Sequence, residues 1–462
     1  MKDLVEQRSL RPTAVLILLV VAVLVWVGME LLRVGPPPEI VIRPAIAFIG
    51  KRTPVTVEIA EPRRGLSYVG VELVQGNLSV PLAAKNYDYP SAAAFWSAGT
   101  IRDTITAEAG REKNPGLKPG EATIRVTAGR VGTWLRRPDP VRQEITLPVR
   151  LSPPALQVIS TQTYVAQGGC EAVVYRVDDS SVHDGVRAGK WWFPGYPLPG
   201  GEKGARFAIF AIPYDMNSAD ARLMAFDASE NQAERSFIDQ FFPKEFKQDA
   251  VELSEAFLNK VVPEIMSQTP ELQDRGNLLD NYLAINRDLR QKNAEALLEL
   301  AQKPGQEMLW SKPFVAIPNG KVMAGFADSR TYLHQGNVVD RQTHLGYDLA
   351  VTRRAPVPAA NDGIVALARY FGIYGNAVVI NHGCGIMSLY GHLSNIGVTP
   401  GQKVARGDTI GQTGETGLAG GDHLHFAVIL DGLPVNPVEW WDGHWIADRI
   451  ARKLGPGFPF TQ

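Results

Sequence analysis

The residues able to do chemistry are crowded towards the C-terminus. Of the 8 histidines in 462 residues, His344, His382, His392, His423, His425 and His444 all fall in the final stretch. There Gly420-Gly421-Asp422-His423-Leu424-His425-Phe426 sets two histidines one residue apart. On a β-strand, side chains two apart share a face, so His423 and His425 present two imidazoles together. A single H-x-H is weak, because ordinary surface or core histidines give the same pattern; its neighbours strengthen it. His344-Leu345-Gly346-Tyr347-Asp348 places an imidazole four residues before a carboxylate, and Tyr390-Gly391-His392-Leu393 adds another imidazole. Together they supply the mixed nitrogen and oxygen set that suits Zn2+. A catalytic zinc takes three protein ligands and keeps one position open. His344, Asp348, His392, His423 and His425 provide that with two to spare for work on a water.

The order of these motifs carries a resemblance. H-x-x-x-D, then Y-x-H-L, then H-L-H-F are separated by Gly375-Asn376-Ala377-Val378-Val379-Ile380 and Pro400-Gly401-Gln402-Lys403-Val404-Ala405-Arg406-Gly407-Asp408-Thr409-Ile410-Gly411. Over residues 318–441 this resembles the lysostaphin-type (LytM-like) zinc metallopeptidases, a peptidoglycan endopeptidase family. The resemblance implies that His344, Asp348 and His425 bind zinc. It also implies that His392 and His423 are the unliganded pair that orient or deprotonate the attacking water and stabilise the tetrahedral intermediate. The implied fold is a small antiparallel β-sheet with a groove for an extended peptide, walled by residues 411–421 and by the segment before His344. Glycines at 411, 414, 417, 420 and 421 would let that wall approach a peptide backbone closely.

Two positions depart from the family pattern. Ala427 stands where a carboxylate is common, and Asp422 precedes the first histidine where a small residue or proline is commoner; either could alter the surroundings that orient His423 or His425. His382 reads as structural, His183, His334 and His444 read as surface residues, and Asp340 with Arg341 reads as part of the substrate rim.

The rest of the chain must position this region. A hydrophobic content of 45%, 21% charged residues and a net charge of −1 describe a folded protein without the polycationic footprint of nucleic-acid binding. Cys170 and Cys384 could pair or stand as separate thiols, and are too few for a disulfide framework. Residues 13–29 form an uncharged apolar run about as long as a bilayer span, and no small-x-small cleavage site follows, so it reads as a retained anchor. Lys2, Arg8 and Arg11 precede it and Arg33 follows, which puts the N-terminus in the cytoplasm.

Short alternating runs punctuated by glycine and proline then suggest a β-sandwich, and a second β-rich stretch closes on Ala225-Phe226-Asp227-Ala228-Ser229-Glu230-Asn231, which resembles the end of bacterial immunoglobulin-like modules. In that stretch Trp191-Trp192-Phe193 with Tyr196 reads as aromatic packing rather than an exposed patch. Residues 246–266 suggest a helix, and Leu278, Tyr282, Ile285, Leu289, Ala296 and Leu300 recur at helical steps between Pro270 and Pro304. These helices would pack on a neighbour or form an arm over the active site.

The chain is therefore expected to be a mainly β multidomain protein. Residues 1–34 are the cytoplasmic N-terminus and transmembrane anchor, 35–38 a linker, 39–152 a β-sandwich and 153–238 a second, immunoglobulin-like sandwich. Residues 239–304 are a helical hairpin, 305–445 an antiparallel β-sheet metallopeptidase domain and 446–462 a C-terminal tail. The implied function is that of a single-pass inner-membrane zinc endopeptidase. It would cut peptide cross-links of peptidoglycan in the periplasm, using a water activated by zinc and assisted by two histidines. Its partners would be peptidoglycan stem peptides, the cytoplasmic membrane and cell-wall or division enzymes. The competing expectation is a non-catalytic regulator that activates a cell-wall amidase.

Overall fold

The computed structural model describes residues 12–32, 34–89, 97–133, 136–302, 305 and 307–461. Lys2, Arg8, Arg11, Arg33 and Pro304, used above to orient the apolar run and delimit a helix, lie outside the described residues. Helix α1, Pro12–Leu32, is long and apolar enough to cross a membrane, a property that signal sequences share. The chain divides into two compact units, residues 1–153 with 227–231, and residues 154–226 with 232–462.

The first unit holds a three-stranded sheet (Glu39–Pro44, Thr53–Ala60, Arg102–Ala109) and a four-stranded one (Leu78–Asn86, Leu66–Gln75, Gly120–Arg130, Val141–Val149). The alternation seen in the sequence sets what each buries. Val55, Val57 and Ile59 turn inward and share one core with Val69, Val71, Leu73, Ile124 and Val126.

The second unit opens with two four-stranded sheets and continues into an eight-stranded one. In the two smaller sheets Phe193 and Tyr196 are buried, whereas Trp191 and Trp192 are half-buried. The large sheet runs Lys321–Ala324, Tyr347–Ala350, Leu424–Leu430, Ile386–Leu393, Asn376–Gly383, Gly363–Tyr370, Lys403–Val404, with Leu433–Val435 beside Leu424–Leu430. One core joins Phe207, Phe210, Trp310, Phe426 and Trp440, and it includes Ile446, Ile450, Leu454 and Phe458. Residues 446–457, within the expected tail, are therefore helical, and Phe458 is buried with them. Cys170 and Cys384 are separate buried thiols.

The two faces of Leu424–Leu430 do different work. Leu424, Phe426, Val428 and Leu430 enter the main core, while Ala427 and Ile429 pack with Leu389, Val379 and Leu297 on the opposite side. A helix covers that second face, which explains an alanine at 427: a carboxylate there would be buried against Leu297 without a partner.

That helix belongs to a helical arm. Helix α2, Glu255–Gln268, begins where the Ser254 side chain accepts the Phe257 N–H at 3.2 Å. The residues before it differ from the helix expected from 246. Gln248–Glu252 is a strand that pairs in parallel with Asp328–His334, and its burial alternates with period two. Helix α3, Leu278–Ala284, passes through a π turn, Ile285–Leu289, into α4, Arg290–Ala301. Tyr282, Ile285 and Leu289 are buried as the helical period requires, but beyond the turn the buried positions are Asn293, Leu297 and Ala301, not Ala296 and Leu300. The wide turn rotates the following helix by about one residue's worth, roughly 100°.

Candidate metal centre

Strand register brings the first ligands together. Asp348 lies opposite His425 in adjacent antiparallel strands, with Gly391 on the other side of His425. His344 closes the strand Asn337–His344. His344 Nε2 is 3.0 Å from Asp348 Oδ1, His425 Nδ1 is 2.9 Å from the same oxygen, and the two nitrogens are 3.1 Å apart. The Gly325 carbonyl accepts from His344 Nδ1 at 2.8 Å, so the Nε2 lone pair points into the cluster. Three lone-pair atoms held this closely repel one another unless a cation sits between them. A tetrahedral zinc with bonds of about 2.0–2.1 Å needs ligand separations of about 3.3 Å, so the set fits such an ion and leaves a fourth position.

The other two histidines arrive differently. In Ile386–Leu393, Met387 and Leu389 face α4 while Tyr390 faces the main core, so simple alternation would send His392 to the core side. It does not go there. Asn376 pairs with Leu393 and Val378 with Tyr390, so Gly391 and His392 together oppose Ala377 in a β-bulge, and His392 has φ +64°. Bulges beside active sites re-aim side chains in this way, and the left-handed backbone costs of order 1 kcal/mol or more. The His392 and His423 rings consequently lie 4.8 Å apart between centroids, and His392 lies 5.8 Å from His425.

Backbone carbonyls fix both tautomers. His392 Nδ1 bonds to Thr416 O and His423 Nδ1 to Gly421 O, each at 2.8 Å, so each Nε2 carries a lone pair. Burial, then the neighbouring His423 and His425, hold the His392 pKa well below the usual imidazole value. His425 is lowered to about 4, chiefly by burial. For His423 burial pulls downward, but Asp348, 3.5 Å from its Nε2, raises the pKa overall. Burial opposes ionisation of Asp348, yet the surrounding imidazoles of His344, His423 and His425 keep its pKa well below the usual carboxylate value.

All five residues line one cavity of about 310 Å3, together with Glu252, Phe257, Tyr282, Arg290, Arg330, Tyr332 and Tyr374. The arm and the glycine segment thus share a wall. Lys260 Nζ reaches Glu415 Oε2 at 2.8 Å and the Ala419 carbonyl at 3.2 Å, and Glu264 Oε1 accepts the Gly417 N–H at 2.9 Å. Gly417 has φ +72°, and a Cβ there would lie 2.4 Å from Gly375 N.

Asp340, expected on a substrate rim, is buried and accepts from Asn286 Nδ2 at 2.8 Å and Arg287 Nε at 2.9 Å, which ties the arm to the sheet. His382 is buried, bonded at Nδ1 to Asp362 O and at Nε2 to Ser388 Oγ, both at 2.7 Å. Asp422 receives the Arg354 N–H at 3.2 Å.

Three residues that sequence reasoning did not single out also shape the site. Arg330 Nη2 holds Asp348 Oδ2 at 2.9 Å, which turns Oδ1 towards the histidines. Tyr374 lies 5.4 Å from the His425 ring. At Gly346, between His344 and Asp348, a Cβ would come within 2.6 Å of the His425 ring, so only glycine leaves room for that imidazole. The glycine inside H-x-G-x-D was the available signal.

Three converging nitrogen and oxygen atoms that could hold a metal ion, with two further histidines beside them, make a candidate metal centre. Residues 342–437 match the model of Peptidase family M23, so the chain carries an M23 peptidase domain. It is 33% identical over 172 residues to the peptidoglycan DD-endopeptidase ShyA of Vibrio cholerae, 37% of each chain. It is 43% identical over 95 residues to the DD-carboxypeptidase/endopeptidase Mpg of Neisseria meningitidis, 21% of this chain and 22% of that one. The chain thus spans well under half the length of either relative. A crystal structure of a putative peptidase M23 from Pseudomonas aeruginosa aligns over 61% of this chain and 96% of its own, at 20% identity and a TM-score of 0.37.

Proposed function

We propose that this chain is a zinc endopeptidase that cuts peptide cross-links of peptidoglycan, joining two D-centres, as the names of its relatives suggest for them. The observation that carries the reading is the convergence of His344 Nε2, Asp348 Oδ1 and His425 Nδ1 on one point, with the Nε2 atoms of His392 and His423 beside it. The three convergent atoms would hold the metal. Bound zinc supplies a Lewis acid that polarises the scissile carbonyl and lowers the pKa of water. His392 and His423, their Nδ1 protons held by carbonyls, each offer Nε2 to take a proton from the attacking water and pass it to the leaving amine. Arg330 keeps Asp348 in place, and the wall formed by the arm and residues 414–421 excludes water from one side of the substrate.

Helix α1 would anchor the chain in the inner membrane with the peptidase domain in the periplasm, where this substrate lies. The stretches 39–152 and 153–238 would be immunoglobulin-like sandwiches acting as a spacer, and the helices of residues 255–301 a hairpin flanking the groove. Peptidoglycan digested with zinc-loaded protein should release muropeptides cut at the cross-link, detected by mass spectrometry, and EDTA should stop the release. Intact cross-links, with zinc bound, would refute the reading.

A further inference from the structure

Arg290 stands out among the cations of the cavity. It is the first residue of α4, and the π turn of residues 285–289 delivers it there; such wide turns recur at functional sites. Its Nε donates to the Asn286 carbonyl at 3.1 Å and its Nη2 to Asn286 Oδ1 at 2.6 Å. Asn286 is itself buried and fixed by Asp340. The guanidinium is therefore rigidly held by neutral oxygens. Among the described residues no carboxylate pairs with it, because Asp340 takes Arg287 and Asp348 takes Arg330. The hydroxyls of Tyr282 and Tyr374, which line the same cavity, make no hydrogen bond among the described residues.

A half-buried guanidinium without a counter-ion is costly unless an anion arrives. Its planar fork matches a carboxylate, and two free hydroxyls beside it could donate to the same group. The cavity that Arg290 lines is the one holding His344, Asp348, His392, His423 and His425, so the anion would be part of whatever is cut there. A cross-link between D-centres offers one, since the D-centre bearing the leaving amine also bears a carboxylate.

We propose that Arg290 is a specificity-determining residue that binds a carboxylate of the peptide substrate, and that the arm thereby sets the distance from that carboxylate to the cleaved bond. This rests on the endopeptidase reading.

The test compares two cross-linked stem-peptide fragments, identical except that the carboxylate beside the cleaved amide is free in one and a primary amide in the other. Wild-type protein should prefer the free acid by about 10- to 100-fold, both in kcat/KM with zinc and in equilibrium binding to the metal-stripped protein. Arg290→Gln should bring both ratios close to 1, and Arg290→Lys should restore part of them. Equal use and equal binding of the two fragments by wild-type protein would overturn the inference, and that comparison needs no variant. So would an equal fall, or a rise, on both fragments in Arg290→Gln. A binding preference without any hydrolysis would instead sink the endopeptidase reading, and with it the link to a cleaved bond, while leaving the carboxylate contact of Arg290 in place.

Discussion

His382 and His392 lie on paired strands of one sheet, both buried, both with Nδ1 bonded to a backbone carbonyl, and both with a pKa pushed down first of all by burial. Only their second nitrogens differ. Nε2 of His382 meets the Ser388 hydroxyl, which in turn pairs with Tyr390, so every polar atom of the ring is satisfied inside the fold. Nε2 of His392 makes no hydrogen bond among the described residues, and its ring reached the cavity through a bulge and a left-handed backbone. A satisfied histidine in a relaxed strand fits a role in stability, whereas an unsatisfied one in a strained strand fits the role in chemistry proposed above.

The largest expected consequence lies at the strained residue. His392→Ala should lower hydrolysis of cross-links by about 100- to 10,000-fold, measured as muropeptide release, while zinc content stays at that of wild type. A loss below 10-fold would place the base elsewhere.

Acid should act through His382 instead. Above about pH 6.5 this group is neutral in both folded and unfolded chains. Below that pH the unfolded chain takes up a proton that the folded one refuses until about pH 4. Stability should therefore fall across that window by up to about 3 kcal/mol, read from denaturant melts at several pH values. His382→Gln should flatten part of the slope.

At neutral pH, truncation of the satisfied histidine should be felt in the fold. His382→Ala leaves Ser388 and the Asp362 carbonyl without their partner and should cost about 2 kcal/mol, with zinc still bound. Loss of zinc in that variant would make His382 part of the centre and end the contrast.

The smallest effect isolates strain. His392→Gly should be more stable than His392→Ala by about 1 kcal/mol, because glycine adopts the left-handed backbone freely. Equal melts would mean that the conformation stores no strain.

These contrasts also mark how far the sequence could be read. Ligand types at fixed spacing place His344, Asp348, His423 and His425 near one another, because strand register follows from two-residue alternation. The same alternation sends His392 to the wrong face; the bulge that rescues it depends on pairing with Asn376–Gly383, which the local sequence does not encode. The arm's helical period was legible up to Leu289, and the π turn then shifted it. Asp340 looked like a rim residue since a lone acidic side chain is usually solvated, and only its distant partners Asn286 and Arg287 make burial affordable. Ala427 departs from the family pattern, and the reason lies outside its local sequence, in the packing of Leu297 of α4 against it.

The division of labour between the two histidines of H-L-H-F is the central claim, and metal content measures it most directly. Purified His425→Ala should contain little zinc, whereas His423→Ala should retain about one zinc per chain and yet fail to cut cross-links. Retention of zinc by His425→Ala, or its loss from His423→Ala, would contradict the account.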